Sequence, residues 1–272
     1  EEFASVDDGA LSDVAPALGL ADPAHFGLAV LGVNGALHEH GDSRVPFTIQ
    51  SVSKPFTFAL VAQELGVEVL RERVGVNATG LPFNSAQAVE QGRPGLTNPL
   101  VNAGAIATAS LAPGEGVAER WRWLRNGLSR FAGRDLTLDA ETLRSERTTN
   151  YRNRALANLM RSFGTVEGSP LDAVEIYTRA CALEVNAVDL AVMGAVLADG
   201  GVHPVTGERV VSEDVARVTL ALMVISGMYE TSGDWLIDVG MPAKSGIGGG
   251  IVTVSPGRGA LGAGTVFGPL SR

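Results

Sequence analysis

Strand-like apolar segments stand at the two ends of this chain and helical periodicity fills the stretch between them, an order that draws both ends into one sheet. At the front, Phe26-Gly27-Leu28-Ala29-Val30-Leu31 runs into Asn34-Gly35, a pair suited to a two-residue hairpin, and residues 36–40 return from it. At the back, residues 235–239, 250–254 and 263–267 are short apolar runs separated by glycine and proline, so they are predicted to be strands. Between the ends, Phe56, Leu60, Val61 and Leu65 recur at helical spacing over 53–65, with Pro55 fitting a first turn and Gly66 a stop. Further helices are predicted over 117–131, 153–163, 170–181 and 188–197, and Ser212 ahead of Glu213 and Asp214 marks the start of another. The fold class expected is α/β in the α+β sense: an antiparallel sheet flanked by helices, formed by 1–65 with 200–272, carrying a helical subdomain over 66–199 within one domain overall.

The 272 residues, 45% hydrophobic and 19% charged, suffice for a large core. A net charge of -9, from 21 basic against 30 acidic residues, argues against nucleic acid or an anionic membrane as the main partner. With Cys181 as the one cysteine there is no intrachain disulfide, thiolate zinc site or redox pair, which points to a reducing, cytoplasmic compartment. No stretch approaches the roughly 18 uninterrupted apolar residues of a membrane span, and the first residues lack the pattern of a secretory leader, although the missing initiator methionine leaves a removed leader open. His25, His38, His40 and His203 are scattered and no phosphate-binding glycine loop occurs, so no metal, ATP or other cofactor is expected.

Chemistry concentrates in two motifs. Ser51-x-x-Lys54 stands at the mouth of the helix over 53–65, where three-residue spacing puts both side chains on one face. A serine hydroxyl is a weak nucleophile and needs an adjacent base, a part that a desolvated lysine can play. Taken alone, the pattern reads more readily as an ordinary helix start with a solvated lysine. Lys244-Ser245-Gly246, followed by Ile247 and three glycines before a late strand, changes the balance. Serine acylases of the penicillin-recognising kind set such a strand opposite a Ser-x-x-Lys helix and make an oxyanion hole between them.

The residues resemble the serine-dependent glutaminase family, whose fold is that of β-lactamases and D,D-peptidases. The resemblance runs from about Gly9 to Leu270, through the blocks at 47–54, 98–106, 145–147 with Asn153, Tyr177 with Cys181, 226–229 and 240–246. It implies that Ser51 is the nucleophile, Lys54 its base and Tyr229 a proton relay. It also implies that Asn102, Glu146, Asn153 and Tyr177 hold the amino-acid part of glutamine, and that the Ile247 N–H joins that of Ser51 in an oxyanion hole. A glutaminase with no cofactor, assembled as a homo-oligomer, is what the resemblance predicts. A carboxylate for an ammonium and neutral donors for a carboxylate make a suitable complement.

Each residue also has a plainer reading. Asn102 and Asn153 could be helix caps, Glu146 with Arg147 a surface ion pair, and Tyr177 and Tyr229 core aromatics; Cys181 reads as buried packing. Val14 stands where the family has a tyrosine, Gly268 where serine is usual, Ile247 where valine is frequent, and Arg272 is the last residue, ahead of the family's Gly-Asn-Ser segment. Two competing readings are a β-lactamase or esterase of the same fold, for which Tyr151-x-Asn153 offers a second motif, and a catalytically idle glutamine-binding member.

Overall fold

The computed structural model describes residues 10–91 and 93–265. Seven strands and eleven helices occur among them. Strands β1 (Phe26–Gly32), β2 (Leu37–Gly41), β5 (Ala243–Ser245), β6 (Gly250–Ser255) and β7 (Gly259–Thr265) form an antiparallel sheet in the order β2-β1-β7-β6-β5. The front and back of the chain meet at the β1–β7 pair, as the distribution of strand-like segments predicts. In β1 the alternate residues Gly27, Ala29 and Leu31 are buried, the period of a half-covered strand, whereas β2 is exposed throughout and its charged and histidine side chains suit an open edge. A two-stranded ladder of β3 (Phe47–Thr48) and β4 (Glu184–Val185) ties the approach to residue 50 to the end of the helical region.

The helices are α1 (Ser53–Leu65), α2 (Val67–Arg73), α3 (Gln87–Glu90), α4 (Asn102–Ser110), α5 (Gly116–Ala132), α6 (Ala140–Thr149), α7 (Tyr151–Ser162), α8 (Pro170–Cys181), α9 (Ala187–Ala198), α10 (Glu213–Ser226) and α11 (Ser232–Val239). The periodic segments at 53–65, 117–131, 153–163, 170–181 and 188–197 all fold as helices, and Ser212 caps α10 by accepting from the Val215 N–H. Helix α9 opens with a reciprocal cap between Asn186 and Asp189, and Asp189 is further held by Arg134 at 2.8 Å. It then lies across β1, β6 and β7 so closely that a Cβ on Gly262 would stand 2.1 Å from the Ala187 carbonyl oxygen.

Helix α1 has no polar side over its first ten residues: Ser53 through Ala62 are all buried, enclosed by α2, α4, α5 and α10. A helix apolar all round belongs inside a protein, and this one delivers its N-terminus to the interior.

Three local expectations are corrected. Residues 235–239 form α11, not a strand: the run follows the 3₁₀ turn Tyr229–Thr231 and ends at Gly240 in the left-handed region (φ 74), so local bonds satisfy its backbone. The front hairpin turns through Val33, Asn34 and Gly35, closed by the Gly32 N–H on the Ala36 carbonyl, rather than through two residues. The last strand begins at Gly259, earlier than expected, and residues 266 and 267 lie outside the described residues.

Substituting Gly262→Ala is expected to cost roughly 2–3 kcal/mol, because the new methyl must displace α9 backbone. Gly233→Ala, which meets nothing within 4 Å, should leave stability within about 0.5 kcal/mol. Urea titration of the two variants checks the contrast.

Candidate active site

Because the α1 N-terminus is internal, its first turn and the 3₁₀ turn Gln50–Val52 that leads into it set Ser51, Ser53 and Lys54 among packed side chains, with 7%, 1% and 2% exposure. The Lys54 amine donates to Asn102 Oδ1 at 2.7 Å and is surrounded by rings, with centroids at 5.4 Å for Tyr229, 5.8 Å for Tyr177 and 6.0 Å for Phe83. Among the described residues it has no ion-pair partner. Loss of water therefore governs its titration: burial pulls its pKa down to about 7, only partly opposed by Cys181. Near neutral pH a large fraction of this amine carries a lone pair and can take a proton.

Asn102 is the first residue of α4 and caps nothing; Val101 occupies the cap position. Its amide instead links three elements, accepting from Lys54, donating to Asn153 Oδ1 on α7 at 3.1 Å and accepting from the Tyr177 hydroxyl on α8 at 3.4 Å. Asn98 fixes this helix start: fully buried, it accepts from the Leu100 N–H and from Ser226 Oγ at the end of α10. Glu146 on α6 is not paired with Arg147, whose guanidinium goes to Glu175. Its carboxyl turns inward to accept from Gln50 Nε2 at 2.6 Å. Although the residue is partly exposed, burial of the carboxyl raises its pKa to about 7, against the lowering effect of Gln50.

From the other side come the sheet and the turn after α10. A Cβ on Gly246 would lie 3.3 Å from the Ser51 nitrogen, and one on Gly248 only 2.5 Å from the Thr48 carbonyl oxygen. The glycines after β5 thus let this strand end press against the 3₁₀ turn Gln50–Val52. Among the described residues, neither the Ser51 nor the Ile247 backbone N–H donates to a protein acceptor. Tyr229 stacks with Phe83 at 4.7 Å between centroids. Its hydroxyl is buried without a hydrogen-bond partner, and burial pushes its pKa well up while the nearby Ser51 side chain offsets part of the rise. Among the described residues two that are not glycine have positive φ, Gln50 (49°) and Tyr229 (56°), and both adjoin Ser51. Strain confined to one place in this way is a mark of a functional site.

The structure thus brings together all seven residues expected from the sequence, Ser51, Lys54, Asn102, Glu146, Asn153, Tyr177 and Tyr229, with the Ile247 backbone beside them. Tyr151 is 72% exposed, so the Tyr-x-Asn pattern places an asparagine at the site and leaves its phenol outside. Val14 is 57% exposed on the surface. Sequence reasoning missed Gln50 and Phe83; the signal for Gln50 is a long polar side chain directly before Ser51, and Phe83 has none. Two clefts reach residues around Ser51 without Ser51 itself lining either. One of about 220 Å³ reaches Thr48, Ile247 and Gly248 beneath the 3₁₀ turn Pro16–Leu20, and one of about 260 Å³ reaches Tyr229. No group of three His, Cys, Asp or Glu side chains among the described residues is arranged to hold a metal, and no helix there is long and apolar enough to cross a membrane.

A serine at the internal end of a buried helix, a desolvated lysine one turn on and a glycine-rich strand end against both define the class of serine–lysine acyl hydrolases on a β-lactamase-like fold. Comparison with known proteins narrows the class. The family model described as glutaminase matches residues 9–270. Glutaminase 2 of Yersinia pestis is 53% identical over 270 residues, 99% of this chain and 78% of that protein, and a glutaminase of Brucella canis is 48% identical over 259 residues, 95% and 82% respectively. Among solved structures, one titled "Probable glutaminase ybaS" superposes with a TM-score of 0.96 at 39% identity, covering 98% of this chain and 86% of that one. Mglu "in its glutamate form" superposes with a TM-score of 0.93 at 40% identity, covering 98% and 61%. The chain belongs to the glutaminase family.

Glu146→Gln should raise the melting temperature more at pH 8 than at pH 5. The raised carboxyl pKa means that Glu146 favours folding while protonated and that this contribution fades as pH climbs from about 4.5 through 7. Calorimetric scans of both proteins at the two pH values check it.

Proposed function

We propose that this chain hydrolyses the side-chain amide of L-glutamine to L-glutamate and ammonia through a γ-glutamyl ester on Ser51. The observation that carries the reading is the dry Lys54 amine, with its pKa brought to about 7 one helical turn beyond a buried serine. Lys54 takes the Ser51 hydroxyl proton as Oγ bonds to the amide carbon, and the oxygen left negative lies between the Ser51 and Ile247 N–H groups. The C–N bond breaks as the nitrogen receives a proton, from Lys54 directly or through the Tyr229 hydroxyl. Water, giving its proton to the same amine, then attacks the ester carbon; the amine passes that proton to Ser51 Oγ as the C–O bond breaks, and glutamate leaves.

Glu146 receives the substrate ammonium, its free-state partner Gln50 being a neutral amide that an ammonium outcompetes. Asn102, Asn153 and Tyr177 supply neutral polar groups to the substrate carboxylate and backbone end. The glutamate form of Mglu agrees with such a product. Against a β-lactamase or esterase reading stands the exposed Tyr151 phenol, too solvated to serve a buried serine. A reducing, cytoplasmic setting suits a chain whose single cysteine is buried, with burial holding its thiol up to about 12, and assembly as a homo-oligomer accords with the family resemblance.

Ser51→Ala should cut ammonia release from glutamine by roughly 10³-fold or more while the protein folds and still binds glutamine. Undiminished turnover would reject the covalent route, and faster hydrolysis of nitrocefin than of glutamine by the parent would reject the substrate. Both Lys54 and Glu146 must lose a proton to act, so log kcat/KM should climb with pH below about 7 with a slope nearing two. Glu146→Gln should reduce that slope to about one and raise KM by roughly 100-fold with a smaller change in kcat.

A further inference from the structure

The chain contains 19 arginines and two lysines, Lys54 and Lys244. Both lysines are buried, Lys244 completely. Arginine keeps its proton in essentially any protein setting, whereas a desolvated lysine gives its proton up. A sequence that places lysine at two dry positions and arginine at every other strongly basic one has used the residue that can become neutral only where water is excluded.

The two amines face one ring. Lys244 Nζ lies 3.8 Å from the Tyr229 ring centroid and Lys54 Nζ 5.4 Å from it. Each has a neutral oxygen as its hydrogen-bond acceptor, the Ser245 carbonyl for Lys244 at 2.6 Å and Asn102 Oδ1 for Lys54. Among the described residues no packed element supplies a counter-charge. The neighbouring strand β6 and the turn Gln50–Val52 contain no acid, and the charged residues of α10, Glu213, Asp214 and Arg217, stand in its first turns, where Asp214 and Arg217 pair in solvent. Beside Tyr229, the exposed Glu230 accepts from the Phe83 N–H; Glu146 is turned to Gln50; and burial keeps Tyr177 and Cys181 protonated. Two ammonium groups against one ring, dry and without an anion, repel strongly.

We propose, building on Ser51 as the nucleophile, that Lys244 is a positioning residue acting as an uncharged amine: it braces the Tyr229 ring from β5 and, with Lys54, forms a pair that holds at most one proton. Burial and the field of Lys54 both drive the Lys244 pKa far below the ordinary amine range, which agrees with that arrangement. The brace has work to do, because Tyr229 sits at positive φ and its buried hydroxyl has no hydrogen-bond partner to fix the ring. A neutral Lys244 leaves Lys54 free to be the amine that cycles its proton.

Protein labelled with ¹³C at lysine Cε gives two side-chain signals, assigned by loss of one in Lys244→Met. Across about pH 5.5 to 9 only the Lys54 signal should titrate, with Lys244 at the neutral-amine position. Both signals at the ammonium position near pH 7.5 would overturn the proposal. In turnover, Lys244→Met should lower kcat about 10-fold or more with KM within about 3-fold, and leave the acid limb of kcat/KM in place. Lys244→Arg, a fixed cation, should move that limb to lower pH by about one unit. If Lys244 were an ammonium in the parent, Met would move the limb to higher pH and Arg would leave it unmoved, and either result sinks the idea. The resonance titration needs no turnover, so a parent without glutaminase activity would reject the hydrolase reading without touching the proton count of the pair.

Discussion

A primary amine held out of water is the constraint on which this molecule turns. Lys54 can serve as a base near neutrality only if its hydration is removed and no carboxylate restores its charge, and the structure meets both conditions with a helix that lacks a polar face. Enclosing α1 takes helices drawn from α2 through to α10, far along the chain, and its buried N-terminus fixes where every other site residue must come from. Asn102, Asn153 and Tyr177 each arrive on a different helix, and one amide oxygen receives both the Lys54 amine and the Tyr177 hydroxyl. Precision at the amine therefore depends on three helix packings at once.

The sheet contributes by proximity rather than by side chains. Strand β5 ends in glycines, and without Cβ atoms its backbone meets the turn that carries Ser51. Unpaired N–H groups and left-handed residues collect at that junction, at Gln50 on one side and Tyr229 on the other. A backbone relaxed at either position would swing its side chain away, so the surrounding core has to hold the strained conformation. The Glu146 carboxyl, desolvated and met only by the neutral Gln50 amide, adds a second unfavourable state kept in place by packing.

Much of this was legible in residue order. Amphipathic helices α5, α7, α8 and α10 declare themselves because one face is wet, and the Ser-x-x-Lys and Lys-Ser-Gly motifs mark the two sides of the cleft. Legibility ends where the signal is not periodic. Helix α4, rich in alanine and buried nearly all round, has no stripe to read, and the apolar run at 235–239 looks like a strand because its outward Leu236 and Ile237 remain exposed on a surface helix. The inward turn of Glu146, its neighbour Arg147 going elsewhere, depends on helix rotation, which no pair of adjacent letters encodes. Gln50 escapes for a related reason: its contact with Glu146 spans 96 residues and rests on a left-handed backbone.

The seclusion of both lysines bears on how the molecule meets reagents. The outer surface of this chain offers arginine guanidiniums but no lysine amine, so acylating agents and cross-linkers reach its lysines only as the interior opens. A protease that cleaves after lysine finds one susceptible bond, Lys244–Ser245 in β5, because Pro55 shields the bond after Lys54 at the head of α1. Scission there would then record the opening of the protein's centre rather than the motion of its periphery.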